Sequence, residues 1–480
     1  MKAMTIAEVA AVVGAAVDTG AGADAVVSSV EFDSRKVVAG TLFAAIAGEH
    51  VDGADFVAAA AAAGAVAALA ARPVAAPIPV LVVDDVLAAL AALATASVRA
   101  LIDAGLVVVG ITGSAGKTST KDLVAAIART AGETVAPPES FNNELGHPYT
   151  VLRATESTKY LVLELSARGP GHIAALTRIA PPRIGVVLNV GTAHLGEFGS
   201  VDGIARAKSE LPEALPDGAH GGVAVLNADD PRVCAMQART IARVVSFGTS
   251  AEADIYAEDI VEDDRARASF TLITPEGTTP VTLAVAGRHQ VGNALAAAAV
   301  GVEIGLAPAR IAQVLAGAAP ASKWRMAISD RADGVTVIND AYNANPDSMK
   351  AALRALATIG RGRRTWAVLG EMAELGPGSQ TAHDEIGRLV VRLNVDRLVA
   401  VGGQQARQLH LGAHLEGSWS GESEHVADVD AALAVLRDEL APGDVVLVKA
   451  SRAAGLERVA LALLSVETSP ADVPSGESAP

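Results

Sequence analysis

Short apolar runs rich in valine, isoleucine and leucine recur along this chain, each followed by a helix-compatible stretch. "YLVLEL", "RIGVVLNV", "GGVAVLNAD" and "RVVSFG" form one group; "VTVIND", "RTWAVLG", "RLVAVG" and "DVVLVKAS" form a second. Runs that are apolar on both faces and spaced by helices build βαβ units and mainly parallel sheets. The prediction is an α/β protein. A chain of 480 residues exceeds a single hydrophobic core, and three regions separate. Residues 1–102 mix strand-like runs ("SSVEFDS", "TLFAAI", "PVLVVD") with alanine-rich helices. Residues 103–319 carry the first group, a β-hairpin insert around 254–285 with "PEG" as its turn, and a helical stretch at 289–318. Residues 320–465 carry the second group, and 466–480, rich in Pro, Ser and Glu, reads as a disordered tail.

Parallel sheets bind ligands beyond the carboxyl ends of their strands. In the middle region those ends are 113–118, 164–166, 189–194 and 227–229, which fall on one edge if the four runs share a sheet. The first is "VVVGITGSAGKTSTKDL", residues 107–123. Strand, glycine-rich turn and helix N-terminus offer backbone N–H groups and a positive dipole end to phosphate. Lys117 would reach the outer phosphates and Thr118 would hold Mg2+. The spacing departs from the common G-x-x-x-x-G-K-[ST], because Ile111 stands where the first glycine belongs. The alternative is an ordinary βα turn carrying a lysine, but the strand context and the full "TGSAGKTST" favour nucleotide binding.

The other strand ends are more open. Glu164 can complete a Mg2+ shell, act as a base, or simply cap a helix. His194 and Lys208, in "VVLNVGTAHLGEFGSVDGIARAKSEL", read singly as a structural histidine and a solvated helix lysine. The loop of "GVTVINDAYNANPDSMKAAL", with Asp340, Asn343 and Asn345, serves either a turn or hydrogen bonds to a ribose or base. Ser34, Arg35, Asn142 and Asn143 suit caps and turns or a polar, phosphorylated ligand.

Composition narrows the classes. A net charge of −16 and 3% aromatics argue against nucleic acid as the main partner, since both the neutralising surface and the stacking platforms are missing. An anionic substrate then needs locally placed cations, and with only nine lysines each motif lysine stands out. One cysteine, Cys234, rules out a disulfide framework within the chain and fits a reducing compartment. The N-terminal "MKAMTIAEVAAVVGAAVD" reads as a short amphipathic helix rather than a signal peptide, because Glu8 interrupts its apolar stretch. "DFVAAAAAAGAVAALAA" is too weakly hydrophobic and too short for a membrane span. The expectation is a cytoplasmic protein.

The order of motifs resembles the Mur ligase family across about residues 1–460. The phosphate loop has that family's shape, T-G-[ST]-x-G-K-[ST]-[ST], over Thr112 to Ser119. "NDAYNANPDSM", "VLGEMAELG" with the following His383, "FNNELGHPYTVL" and "GPGHI" are similar to the family branch that adds D-alanyl-D-alanine. The resemblance implies three domains: a UDP-sugar-binding domain (1–102), a central parallel-sheet, P-loop ATPase-like domain (103–319), and a Rossmann-like α/β ligase domain (320–465). It implies ATP and Mg2+ as cofactors, and UDP-MurNAc-tripeptide and D-Ala-D-Ala as small-molecule substrates of a monomer.

It also implies residue roles. Gly113, Ser114, Ala115, Gly116, Lys117, Thr118 and Ser119 would cradle the ATP phosphates. Thr118, Glu164, His194 and Lys208 would hold the metal ions, with Lys208 carbamylated into an oxygen ligand; Lys117, Glu164, His194 and Lys208 form the catalytic set. Asn293 would face the adenine. Arg325, Asp340, Tyr342 and Asn345 would bring the third domain onto the nucleotide. Ser34, Arg35, Asn142, Asn143 and Arg168 would hold the UDP-sugar substrate, with Lys449 and Arg452 near the dipeptide. The chain departs from the family pattern at "GRHQ" (287–290), "KASRA" (449–453) and "ELSA" (164–167), and a lost glycine reshapes a loop near a ligand. The implied reaction passes the γ-phosphoryl of ATP to the tripeptide carboxylate, and the dipeptide amine then displaces phosphate. Other readings are a ligase of the same architecture with folate or another muramyl peptide as substrate, and a nucleotide switch without catalysis.

Overall fold

The computed structural model describes residues 1–16, 22–48, 51–138, 140–192, 195–319, 321–416 and 422–465. The tail expected to be disordered, 466–480, lies outside them, as does His194. Among the described residues the strands form sheets of four, nine and six, plus a two-stranded ribbon, Met4–Thr5 with Val26–Val27.

The four-stranded sheet is parallel, in the order Ser29–Glu31, Thr41–Ala45, Ala65–Ala70 and Val80–Val82. The alanine-rich stretch read as helix divides here: Val57–Ala62 is helical, whereas Ala65–Ala70 is a buried strand. Alanine favours helices by propensity, and pairing between two apolar neighbours overrides it. Helix Val86–Asp103 is long and apolar enough to cross a membrane by length and composition. It instead buries Ala89, Leu90, Leu93, Ala94, Val98 and Leu101 in a core shared with Leu42, Leu69 and Leu81. The amphipathic N-terminal helix is Ile6–Val13, capped by Thr5 and Glu8 in a reciprocal capping box.

The central sheet contains all four runs whose ends were singled out. Its order is Gly277–Ala286, Arg267–Thr274, Ile255–Glu262, Arg243–Gly248, Val223–Asn227, Ile184–Val187, Val107–Thr112, Tyr160–Glu164, Thr134–Val135. The last seven are mutually parallel, and the insert adds an antiparallel hairpin at one edge. Ile111 is in register with Glu164, and Thr112 with Val187, so these strands end at one level. One face packs against the N-terminal helices; the other packs on helix Gln290–Glu303, whose run Ala294 to Val300 is wholly buried.

The third sheet runs Ala327–Asp330, Thr336–Asn339, Val445–Lys449, Thr365–Leu369, Arg397–Val401, Ser423–Val426, parallel except for the first. Its two faces have separate cores, one on helices Pro346–Ile359 and Ser379–Arg392, the other on Val429–Glu439 and Glu457–Leu464.

Candidate functional site

Two cavities meet at the phosphate loop. One, of about 490 Å³, is lined by the loop and by Ser140, Asn142, Asn143, Glu164, Arg168 and Arg452, among others. The second, of about 400 Å³, lies toward Ser119, Asn189, Asn293, Asp340 and Lys449. Ala115, Gly116, Arg325 and Ser348 line both.

The loop follows strand Val107–Thr112 and opens helix Lys117–Ala128. Gly116 adopts φ +81, and a Cβ there would sit 2.4 Å from Asn293 Oδ1, so both conformation and space require glycine. Asn189, ending the neighbouring strand, clasps the loop: its Oδ1 accepts from Ala115 N at 2.9 Å and its Nδ2 donates to Ala115 O at 3.1 Å. Ser114 Oγ accepts from Gly191 N at 2.9 Å. Lys117 curls over the turn and donates to Gly113 O at 2.9 Å. Burial lowers its pKa, Glu164 opposes that shift, and Arg325 adds to it.

Thr118 is the hub. Its Oγ1 donates to Glu164 Oε2 at 2.9 Å, lies 2.9 Å from Ser140 Oγ, and accepts from Arg325 Nη2 at 3.1 Å. Glu164 is 2% exposed and its Oε1 accepts from Asn142 Nδ2 at 2.7 Å. A hydroxyl and a carboxylate at contact distance on a cavity wall are hard oxygen donors of the kind Mg2+ takes, usually with several waters. Lys208 ends helix Val201–Lys208, lines neither cavity, and is 6% exposed with no hydrogen-bond or ion-pair partner among the described residues. Burial and then the Lys117 charge push its pKa well below the lysine value.

The third region delivers Arg325 on a tense turn. Trp324 and Met326, on either side of it, have φ +57 and +50. Left-handed backbone at such residues costs roughly 1–3 kcal/mol each. The guanidinium lies over the Tyr342 ring at 4.3 Å. Asn345 caps helix Pro346–Ile359 and reaches Ser114 O at 3.5 Å. Asn293 donates to Gln290 Oε1 at 2.8 Å and accepts from Thr120 at 3.2 Å, so the glutamine of "GRHQ" positions it.

Other expected residues fall elsewhere. Ser34 and Arg35 line neither cavity; Arg35 is paired with Asp33, its side chain 86% exposed. Arg168 and Arg452 lie together on the larger cavity, with Arg452 stacked 4.5 Å from the Trp324 ring. Lys449 is buried on the smaller cavity and bound to Asp340 at 2.6 Å, apart from the wall that holds Arg452. Sequence reasoning missed Ser140, which lies between Thr118 and Arg325, because a lone serine in "ESFNN" carries no spacing signal.

Three family signatures match: Mur ligase family, catalytic domain (26–98), Mur ligase middle domain (111–301), and Mur ligase, glutamate ligase domain (324–452). The UDP-N-acetylmuramoyl-tripeptide–D-alanyl-D-alanine ligase of Mycobacterium tuberculosis is 53% identical, covering 98% of this chain and 99% of that protein. Its Escherichia coli namesake is 37% identical over 92% and 95%. Among solved structures, MurF from Acinetobacter baumannii aligns with a TM-score of 0.84 at 31% identity, over 97% of this chain and 99% of that one. The MurF ligase from Thermotoga maritima in complex with ADP aligns at 0.75 and 28%, over 90% and 96%. The chain belongs to the Mur ligase family and is an ATP-dependent ligase.

Proposed function

We propose that the chain joins D-alanyl-D-alanine to UDP-N-acetylmuramoyl-tripeptide in peptidoglycan precursor synthesis, with ATP converted to ADP and phosphate. Near-full-length similarity to ligases of that name supports the substrates. The observation that carries the site reading is the meeting of two cavities at one phosphate loop. ATP would enter through the smaller, lined by Asn293 and Asp340, and the muramyl peptide and dipeptide through the larger, lined by Asn142, Asn143, Arg168 and Arg452.

A carboxylate resists attack by an amine until it carries a leaving group. The tripeptide carboxylate oxygen attacks the γ-phosphorus, the bond to the β-phosphate oxygen breaks, and ADP leaves. The neutral dipeptide amine then attacks the acyl carbon, inorganic phosphate leaves with the acyl oxygen bond, and the amine proton passes to solvent. Such transfers depend on positioning and charge neutralisation more than on covalent help from the protein. Lys117 and Arg325 approach the phosphate loop from two sides and supply that charge. Thr118 and Glu164 suit Mg2+, which would add positive charge beside the phosphates. Buried, and without a hydrogen-bond or ion-pair partner among the described residues, Lys208 suits carbamylation: its neutral amine takes CO2, a proton leaves, and the resulting carbamate anion is an oxygen donor. His194 joins this set by resemblance alone.

The reading includes a cytoplasmic monomer. One chain lines both cavities, and its exposed thiol, Cys234, suits a reducing compartment. ADP release measured over a panel of carboxylates and amines tests the function. UDP-MurNAc-tripeptide with D-Ala-D-Ala should trigger release, and folate with L-glutamate should not; the reverse result overturns the assignment.

A further inference from the structure

Lys449 sits at the end of strand Val445–Lys449, 2% exposed. An ammonium group has three protons to donate. Its Nζ is surrounded by three oxygens of the 340–343 loop: Asp340 Oδ2 at 2.6 Å, Asn343 O at 2.8 Å and Asp340 O at 3.4 Å. No donor remains for a substrate unless this loop is given up. The paired carboxylate is itself engaged on its other side, where Asp340 Oδ1 accepts from Met326 N at 3.0 Å. Met326 is one of the two left-handed residues that bracket Arg325, and Tyr342 of the same loop donates its N–H to Trp324 O at 3.3 Å. Tyr342 also provides the ring beneath the Arg325 guanidinium, which reaches Thr118 of the phosphate loop.

From this chain of contacts we infer that Lys449 is a positioning residue for Arg325, acting through Asp340 and the Met326 N–H, and that it does not bind the incoming dipeptide. A buried cation fixes the carboxylate, the carboxylate holds a turn whose backbone is otherwise unfavourable, and the turn aims a guanidinium at the phosphates. Asp340 keeps lone pairs for the nucleotide, so it can serve the cavity and the turn together. The inference rests on the ligase reading above.

The test is a double-mutant cycle on the full-length protein, read by ADP release with ATP, UDP-MurNAc-tripeptide and D-Ala-D-Ala. The chains are wild type, Lys449→Met, Arg325→Ala and the two combined. Lys449→Met should lower kcat by about 10²-fold, the loss expected when a catalytic group is displaced by about 1 Å. The KM for D-Ala-D-Ala should change less than about twofold, since no dipeptide contact is lost. Adding Lys449→Met to Arg325→Ala should cost less than about threefold more, because both changes remove the same contribution. A rise in dipeptide KM as the main effect, or losses that multiply in the combined chain, would overturn the inference. Should Lys449→Met fail to fold, Lys449→Arg runs the same cycle: it keeps the buried charge and leaves Asp340 intact, but a planar guanidinium cannot meet the three loop oxygens as the ammonium does. A wild type inactive with these substrates refutes the ligase reading and this inference with it; an active wild type with the opposite cycle refutes this inference alone.

Discussion

The two walls of the site are built differently. The central wall draws Glu164 and Asn189 from the ends of parallel strands held in register on either side of Val107–Thr112, and Thr118 from the helix that follows that strand. Its polar groups satisfy one another at 2.7–3.1 Å, as in Asn142 to Glu164 and the Asn189 clasp on Ala115. The C-terminal wall brings Arg325 on a strained turn and touches its counterpart at fewer points, Arg325 to Thr118 at 3.1 Å and to Ser140 at 3.4 Å, and Asn345 to Ser114 at 3.5 Å. One half is therefore assembled by the fold of a single sheet. The other half comes from a second domain, and under the proposed function both would have to be in place before phosphoryl transfer.

The largest effect should come from breaking the central wall at its cation. Lys117→Ala should lower ADP-forming turnover by about 10³-fold. The thermal melt should barely move, because the hydrogen bond lost is a single one, to Gly113 O. Near-normal turnover would remove Lys117 from the phosphate site. Lys208→Ala comes next, with an expected loss of about 10²-fold. If the lysine serves as a carbamate, added short-chain carboxylic acids should restore part of the activity, since they return an oxygen donor to the space the side chain leaves. An unaffected variant, or one indifferent to those acids, would make Lys208 a structural residue.

The C-terminal wall should respond in another way. Gly196 of the central domain and Gly376 of the C-terminal domain meet backbone to backbone: a Cβ on Gly196 would lie 2.9 Å from Gly376 Cα and N. Gly196→Ala should hold the domains slightly apart and lower kcat by about tenfold or more. Affinity for ADP, whose proposed phosphate cradle lies in the central domain, should stay near that of wild type. Weakened ADP binding with unchanged kcat would reverse the assignment of rigid and delivered halves.

The same contrast governs how much could be read beforehand. The central strands announce themselves as long β-branched runs, and the phosphate loop as a glycine turn ending in Lys117 and Thr118, so their fold and place on one sheet edge follow from local pattern. Strand Ala65–Ala70 hides behind alanine's helical propensity. Ala327–Asp330 and Ser423–Val426 are short edge strands with polar residues and little periodicity. Arg325 and Lys449 acquire their surroundings only through tertiary approach: nothing near "SKWRM" announces Thr118 as a neighbour, and nothing in "VLVKAS" announces Asp340. A resemblance could point to Arg325, but it pointed Lys449 toward the dipeptide, while the structure pairs that lysine with Asp340.

The smallest expected effect falls on stability and leaves the chemistry aside. His147, in the short helix Gly146–Val151 that follows the Asn142–Asn143 pair, is fully buried, and neither ring nitrogen has a partner in hydrogen-bond geometry. Burial lowers its pKa to about 4, with the Leu176 backbone near enough to oppose the shift in part. The folded form thus takes up a proton less readily than the unfolded chain, whose histidine titrates near 6.5. Stability from keeping this ring neutral is complete above about pH 6.5 and is lost as pH falls toward about 4. The difference amounts to roughly 3 kcal/mol at most. His147→Phe keeps a ring of similar size and removes the titration. Urea midpoints measured at neutral pH and near pH 4.5 should therefore fall less for the variant than for wild type. Equal losses would mean that acid sensitivity enters elsewhere and that the central wall's support is indifferent to this proton.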